Sequence, residues 1–275
     1  MQPILTRFGL ARAPFTKEFA AGDLFNATPI ADAVTRLRAA VESRTSAVLT
    51  GDSGVGKTCV LRGLEATLNP ARFRLLYLHH ANVSSRDFYR QVSVLLGLEP
   101  KSHPSAMFRQ IQAHMEELSD QQKIHPVLLL DEAQLVSLSM LEQLHILLNF
   151  RMDSAAFLSV VLVGLPELKE RLGRNVLSSL STRLPTRIHL EPLSVEDVAD
   201  YVAHRMRVAG ATAEVFSRDA VLSIREATGG VMRKIDVLAT QSLEVAFQSS
   251  RGNQASLIDG SVVQKAVRLC AEALR

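Results

Sequence analysis

The sequence predicts an α/β protein in which a parallel sheet is sandwiched by helices and followed by a small all-helical domain. Three observations predict it. Short runs that are apolar throughout alternate with helix-period segments, the pattern of parallel strands covered on both faces. A glycine-rich segment, Gly51 to Thr58, follows the first such run and opens a helical pattern. After Pro192 only helical patterns remain.

The first 45 residues read as a lead-in and a first helix, where Asp32 to Glu42 sets Ala33, Val34, Leu37 and Val41 on one face. Ala47 to Leu49 is the first strand, and a helix runs from Lys57 to Leu68. Arg74 to Leu78 is the second strand, with helices at Phe88 to Leu96 and Met107 to Leu118 behind it. Val127 to Leu130 ends in Asp131-Glu132 and leads to a helix from Met140 to Leu148. Leu158 to Val163 is again apolar throughout, and Thr186 to Leu190 is the last strand. In the helical part, Ser194-Val195-Glu196-Asp197 has the form of a capping box. Helices at 195–209, 217–228, 231–248 and 260–274 are separated by Gly210, Gly229-Gly230 and Arg251-Gly252-Asn253. The expected division is therefore 1–45, 46–190 for the α/β core and 191–275 for a helical lid.

Composition narrows the class. Of 275 residues 47% are hydrophobic, enough for a proper core. The net charge of +3 permits a nucleic-acid partner without demanding one. Cys59 and Cys270 match no metal spacing and read as reduced thiols. No apolar stretch reaches the roughly 18 residues of a membrane helix, and residues 1–20 lack the apolar centre of a signal peptide. A cytoplasmic protein with no membrane partner is the expectation.

The chemistry concentrates in two places. Gly51-Asp52-Ser53-Gly54-Val55-Gly56-Lys57-Thr58, with Cys59 next, fits the P-loop pattern between a strand and a helix. Glycines let the backbone turn its N–H groups onto phosphate oxygens, and the helix N-terminus adds partial positive charge. Lys57 would reach the β- and γ-phosphates of ATP, and Thr58 would hold Mg²⁺. The second place is Asp131-Glu132 at the end of a central strand. Asp131 suits the Mg²⁺ shell, and Glu132 suits orienting and deprotonating an attacking water. Together they argue for hydrolysis over mere binding.

With these motifs the chain resembles the AAA+ ATPases, whose fold is a P-loop parallel sheet with a helical lid. More narrowly it is similar to the family of the general secretion protein A ATPase domain. The resemblance rests on Phe8-Gly9-Leu10, Pro14-Phe15 and Leu24-Phe25 in the lead-in, and on Asp131-Glu132-Ala133-Gln134. It continues through Leu141-Glu142-Gln143-Leu144 up to Asn149, Val163 to Leu168, and Gly230-Val231-Met232-Arg233-Lys234-Ile235. It spans almost the whole chain.

The resemblance implies further roles. Arg183, just before the last strand, stands where the arginine finger reaches a neighbouring subunit's nucleotide; Arg187 is the competitor. Arg233 falls at the sensor-2 position and would contact phosphates of its own subunit. Phe15, Leu24 and Phe25 would line an adenine pocket. Two departures stand out: Leu165 occupies the place of a usual polar sensor, leaving Asn149 to replace it or turnover slow, and Ile30 lies where the family has a histidine.

Free-standing members similar to this chain are transposition helper ATPases, and the chain stops at the lid where the secretion proteins continue. The resemblance thus implies a homo-oligomer, ring or helical filament, on double-stranded DNA, with a transposase as partner. A polar insert after the second strand holds Arg86, Arg90, Lys101, Ser102, His103 and Arg109 as candidate DNA contacts. Eight basic against six acidic residues from Arg62 to Lys123 make that bias slight, and without base-reading motifs any contact would be to phosphates. A secretion or envelope assembly motor and a nucleotide-gated signalling switch are the alternatives.

Overall fold

A computed structural model describes residues 2–16, 23, 25, 27–79, 84–249 and 257–274. In chain order these form α1 (Gln2–Arg7), α2 (Thr28–Glu42), β1 (Ala47–Thr50), α3 (Lys57–Thr67), β2 (Phe73–Leu78), α4 (Ser85–Leu95) and α5 (Pro104–Asp120). There follow β3 (His125–Leu130), α6 (Leu138–Leu147), β4 (Ser159–Gly164), α7 (Glu167–Leu172), α8 (Ser178–Thr182) and β5 (Thr186–His189). The helices α9 (Val195–Val208), α10 (Arg218–Thr228), α11 (Met232–Ser249) and α12 (Gly260–Leu269) end the chain. Contacts divide it into two compact units. One is Ala33–Asp52 with Leu61–Leu190, and the other is Met1–Asp32 with Ser53–Val60 and Glu191–Arg275.

The first unit carries the sheet, in the order β2-β3-β4-β1-β5 with every pairing parallel. The apolar runs of β1, β3 and β4 are buried at every position, as expected of central strands covered on both faces. The edge strands β2 and β5 mix buried with partly or fully exposed residues. Leu128 and Val160, register partners, sit in the core with Phe88, Ile111, Met140 and Leu144 from the flanking helices. Truncating Leu128 to alanine there costs about 2–5 kcal/mol. Because all strands are parallel, their C-terminal ends share one edge, which is where ligands bind in open α/β sheets. Gly51, Asp131 and Leu165 follow β1, β3 and β4 on that edge.

The second unit is helical. Ser194 accepts a hydrogen bond from the Asp197 N–H and Asp197 reaches back to the cap, so the capping box forms. The short α1, which the lead-in pattern did not reveal, buries Ile4 and Leu5, and Arg7 lies over the Phe247 ring at 5.7 Å. Tyr201 donates to the half-buried Asp236 carboxylate at 2.6 Å. Burial pushes both groups' pKa values up. The last helix stops at Leu269 rather than 274: Lys234 donates to the Leu274 carbonyl at 2.6 Å, and the final residues fold as a turn. The short α7 carries too few residues for periodicity to show it, whereas α8 ends in the cap Arg183, where the sequence places the end of a helix before the last strand.

Candidate nucleotide site

The glycine-rich loop leaves β1 with the Gly51 N–H donating to the Gly164 carbonyl at 3.3 Å. Gly54 and Gly56 take φ values of +81° and +116°, a region that side-chain-bearing residues avoid. Space demands glycine as well. A methyl on Gly54 would sit 2.6 Å from the Arg233 Cβ, and one on Gly56 would sit 2.8 Å from the Met232 sulfur. The first turn of α11 is therefore seated on the loop. The Arg233 N–H donates to the Gly54 carbonyl at 3.1 Å, and its guanidinium donates to the Ser53 hydroxyl at 3.2 Å. Val55 is fully enclosed, and Lys57, buried, is the first residue of α3, followed by Thr58 and Cys59 in its first turn. The N-terminal end of α3 thus turns a positive dipole end to the loop. Ile30, at the place of the family's histidine, is buried on α2 and would lie 3.5 Å from a methyl at Gly56.

The aromatic candidates have separate neighbours. Phe25 packs on Tyr201 and His204, with ring centroids 5.4 Å and 5.3 Å away. Phe15 meets Phe216 edge-on at 6.3 Å and lines a cavity of about 70 Å³ with Ile4, Leu5 and Leu243. Leu24 lies outside the described residues.

At the end of β3 the two carboxylates are held differently. Asp131 is buried: one oxygen accepts from the Glu132 N–H at 2.9 Å and the other from the Tyr77 hydroxyl at 2.8 Å. Tyr77 comes from β2, in register with Leu129. Burial first, and then the hydrogen bond to Asp131, keep its phenol protonated well above its ordinary range. Glu132 adopts a left-handed conformation, φ 52° and ψ 38°. A non-glycine residue there carries strain of about 1–3 kcal/mol, tolerated where the surroundings fix it. The fixing group is Gln134, whose amide donates to Glu132 at 2.6 Å and accepts from the Leu165 N–H at 3.1 Å. Arg171 of α7 in turn donates to the carbonyls of Gln134 and Val136. Leu165 thus offers its backbone, not a side chain, and the Asn149 carbonyl is taken by Gln112 at 3.3 Å.

Tyr77, Gln134 and Arg171 had no role from the sequence. Gln134 stood inside a recognised motif and could have been asked for a partner. Tyr77 and Arg171 gave no local signal.

Arg183 caps the C-terminus of α8, and its guanidinium donates to Asp153. Asp153 closes a run of three left-handed residues, Arg151, Met152 and Asp153, in which Met152 is 97% exposed. Arg187, on the edge strand β5, donates to the Ser181 hydroxyl at 2.5 Å. Arg86 on α4, Lys101 and Ser102 between the helices, and His103 and Arg109 at and on α5 are all exposed on one helical hairpin.

Among the described residues no three or more His, Cys, Asp or Glu converge as a metal cage. Mg²⁺ asks for less: it takes one or two protein oxygen ligands plus phosphate oxygens and water. Thr58 and Asp131 each carry an oxygen donor of the kind that such a hard cation takes.

Residues 39–172 match the AAA domain family. Among characterised proteins, general secretion pathway protein A of Aeromonas hydrophila is 31% identical over 258 residues, which is 93% of this chain. The chain spans 46% of that protein's length. Among solved structures, Cdc6p of Pyrobaculum aerophilum superposes with a TM-score of 0.72 at 18% identity, covering 95% of this chain and 70% of that one. ORC1 of Aeropyrum pernix, solved in complex with DNA, gives 0.62 at 18% identity, covering 93% and 68%. No helix among the described residues is long and apolar enough to cross a membrane. The motif resemblance and these matches agree: residues 39–172 are similar to the AAA domain family, and most of the chain is similar to general secretion pathway protein A.

Proposed function

We propose that Lys57 and the loop N–H groups bind the ATP phosphates, that Thr58 and Asp131 hold Mg²⁺, and that Glu132 orients and deprotonates the attacking water. Mg²⁺ would offset charge on the phosphate oxygens. Arg233 acts from α11 on the same subunit's phosphates, and Arg183 acts on a neighbour's nucleotide. The γ-phosphate thereby favours subunit association, so the ATP state assembles. The surface on which it assembles is double-stranded DNA, and the role is that of a transposition helper that recruits a transposase.

The observation that carries the DNA reading is the α4–α5 hairpin, which exposes Arg86, Arg90, Lys101, His103 and Arg109 together. Repeated along an oligomer, these basic side chains would meet phosphates without reading bases, beside the exposed Asp87, Glu99, Glu117 and Asp120 of the same hairpin. The DNA-bound ORC1 fold lends support of a general kind. A second reading, the ATPase of a secretion or envelope assembly system, is favoured by the 31% identity to general secretion pathway protein A. Electron microscopy with ATP, with and without duplex DNA, separates them. ATP-dependent rings or filaments on duplex support the first; particles indifferent to DNA in an active ATPase favour the second.

A further inference from the structure

We infer that Gln134 is a positioning residue for hydrolysis: it replaces the polar side chain missing at Leu165 by coupling the end of β4 to the Glu132 carboxylate. The inference rests on the reading of Glu132 as the residue that orients water. Gln134 uses both ends of its amide, the NH₂ on Glu132 at 2.6 Å and the carbonyl on the Leu165 N–H at 3.1 Å. A charge-assisted bond of that length fixes one carboxylate oxygen and leaves the other to face a water. Gln134 itself is anchored, because Arg171 donates to its backbone carbonyl. The neighbouring glycine is shaped around it: a methyl on Gly164 would lie 2.5 Å from the Gln134 Oε1. Leucine at 165 is then no defect, since the contact to the strand end passes through a backbone N–H and an amide. A left-handed Glu132 needs such a partner, because nothing in its own backbone preference holds it there.

The test is steady-state ATP hydrolysis with parallel nucleotide binding for Gln134→Glu, Gln134→Leu and Gly164→Ala, alone and combined with Glu132→Gln. Gln134→Glu keeps an acceptor for Leu165 and turns the donor into a repelling carboxylate, so it isolates the contact to Glu132. Gly164→Ala leaves Gln134 in place but displaces its amide. Each single variant is expected to lower kcat by about tenfold or more, with KM and nucleotide affinity within about twofold of the parent. In the Glu132→Gln background none is expected to lower the rate further, because residues acting as a unit are not additive. A kcat for Gln134→Glu within about twofold of the parent overturns the inference, as does a loss of equal factor in the Glu132→Gln background. Wild-type turnover by Glu132→Gln alone overturns the reading of Glu132 itself, and that arm involves no change at 134.

Discussion

The guanidinium of Arg183 is hydrogen-bonded to the carboxylate of Asp153 within a single chain. The contact holds the Asp153 carboxyl below its usual range. An arginine that serves a neighbour's nucleotide must leave this partner, so Asp153→Asn is expected to preserve or raise ATP hydrolysis at low protein concentration, and Arg183→Ala to lower it by 10-fold or more, an order-of-magnitude figure for arginine fingers. Mixing Arg183→Ala with Lys57→Ala protein is expected to recover part of the activity at interfaces where one subunit supplies the loop and the other the arginine. No recovery, with mixed oligomers demonstrated, counts against action between subunits.

The Tyr77 hydroxyl fixes one oxygen of Asp131. Tyr77→Phe removes one net hydrogen bond to a charged group, worth about 1.5–3 kcal/mol. The expected result is a several-fold higher Mg²⁺ concentration at half-maximal activity, with metal-free nucleotide binding unchanged. An unaltered Mg²⁺ titration would remove Tyr77 from the account of the metal ligand.

Gly54→Ala places a methyl 2.6 Å from the Arg233 Cβ at a φ of +81°. Strain of about 1–3 kcal/mol and displacement of α11 from the loop follow. Calorimetry is expected to show a lowered melting temperature and nucleotide binding weakened at least tenfold, an order-of-magnitude figure by the free-energy conversion. Wild-type affinity in a folded Gly54→Ala protein would mean the loop does not hold phosphate in this conformation.

His125 is buried at the start of β3, bonded through Nε2 to the Ser159 hydroxyl at 2.9 Å. Burial first, and then the Arg44 charge, push its pKa down from 6.5 to about 4. The folded state therefore binds fewer protons than the unfolded chain between those values. Stability from the neutral imidazole is complete above pH 6.5 and is lost as pH falls toward 4, by about 3 kcal/mol. Melting temperatures from pH 7 to 4.5 are expected to fall less steeply for His125→Gln than for the parent. Parallel curves would contradict this.

The legible part of the molecule was the part written in local sequence. Gly51 to Thr58 shapes its own loop, and the apolar runs of β1, β3 and β4 announce central strands without help from elsewhere. What stayed hidden depends on register and distance. Tyr77 meets Asp131 only because β2 pairs with β3 so that Tyr77 lies opposite Leu129. Arg171 meets Gln134 only because α7 follows β4. The left-handed turn from Arg151 to Asp153 contains no glycine, so no turn residue marks it. The partner of the α4–α5 hairpin is likewise not a local property, since exposed arginine and lysine serve solvent as readily as phosphate.

The central claim is that the ATP state assembles on duplex DNA, and binding by Glu132→Gln tests it most directly because that variant is expected to hold ATP without turnover. Duplex binding is measured at moderate salt with ATP, with ADP and without nucleotide, across two unrelated DNA sequences. The account predicts binding with ATP alone, equal for both sequences and falling steeply as salt rises. Replacing Lys101 and Arg109 with alanine is expected to weaken both equally and to reduce the salt slope by about 2. A protein that binds ATP yet ignores DNA in all three nucleotide states contradicts the claim and leaves the secretion-type motor as the better reading.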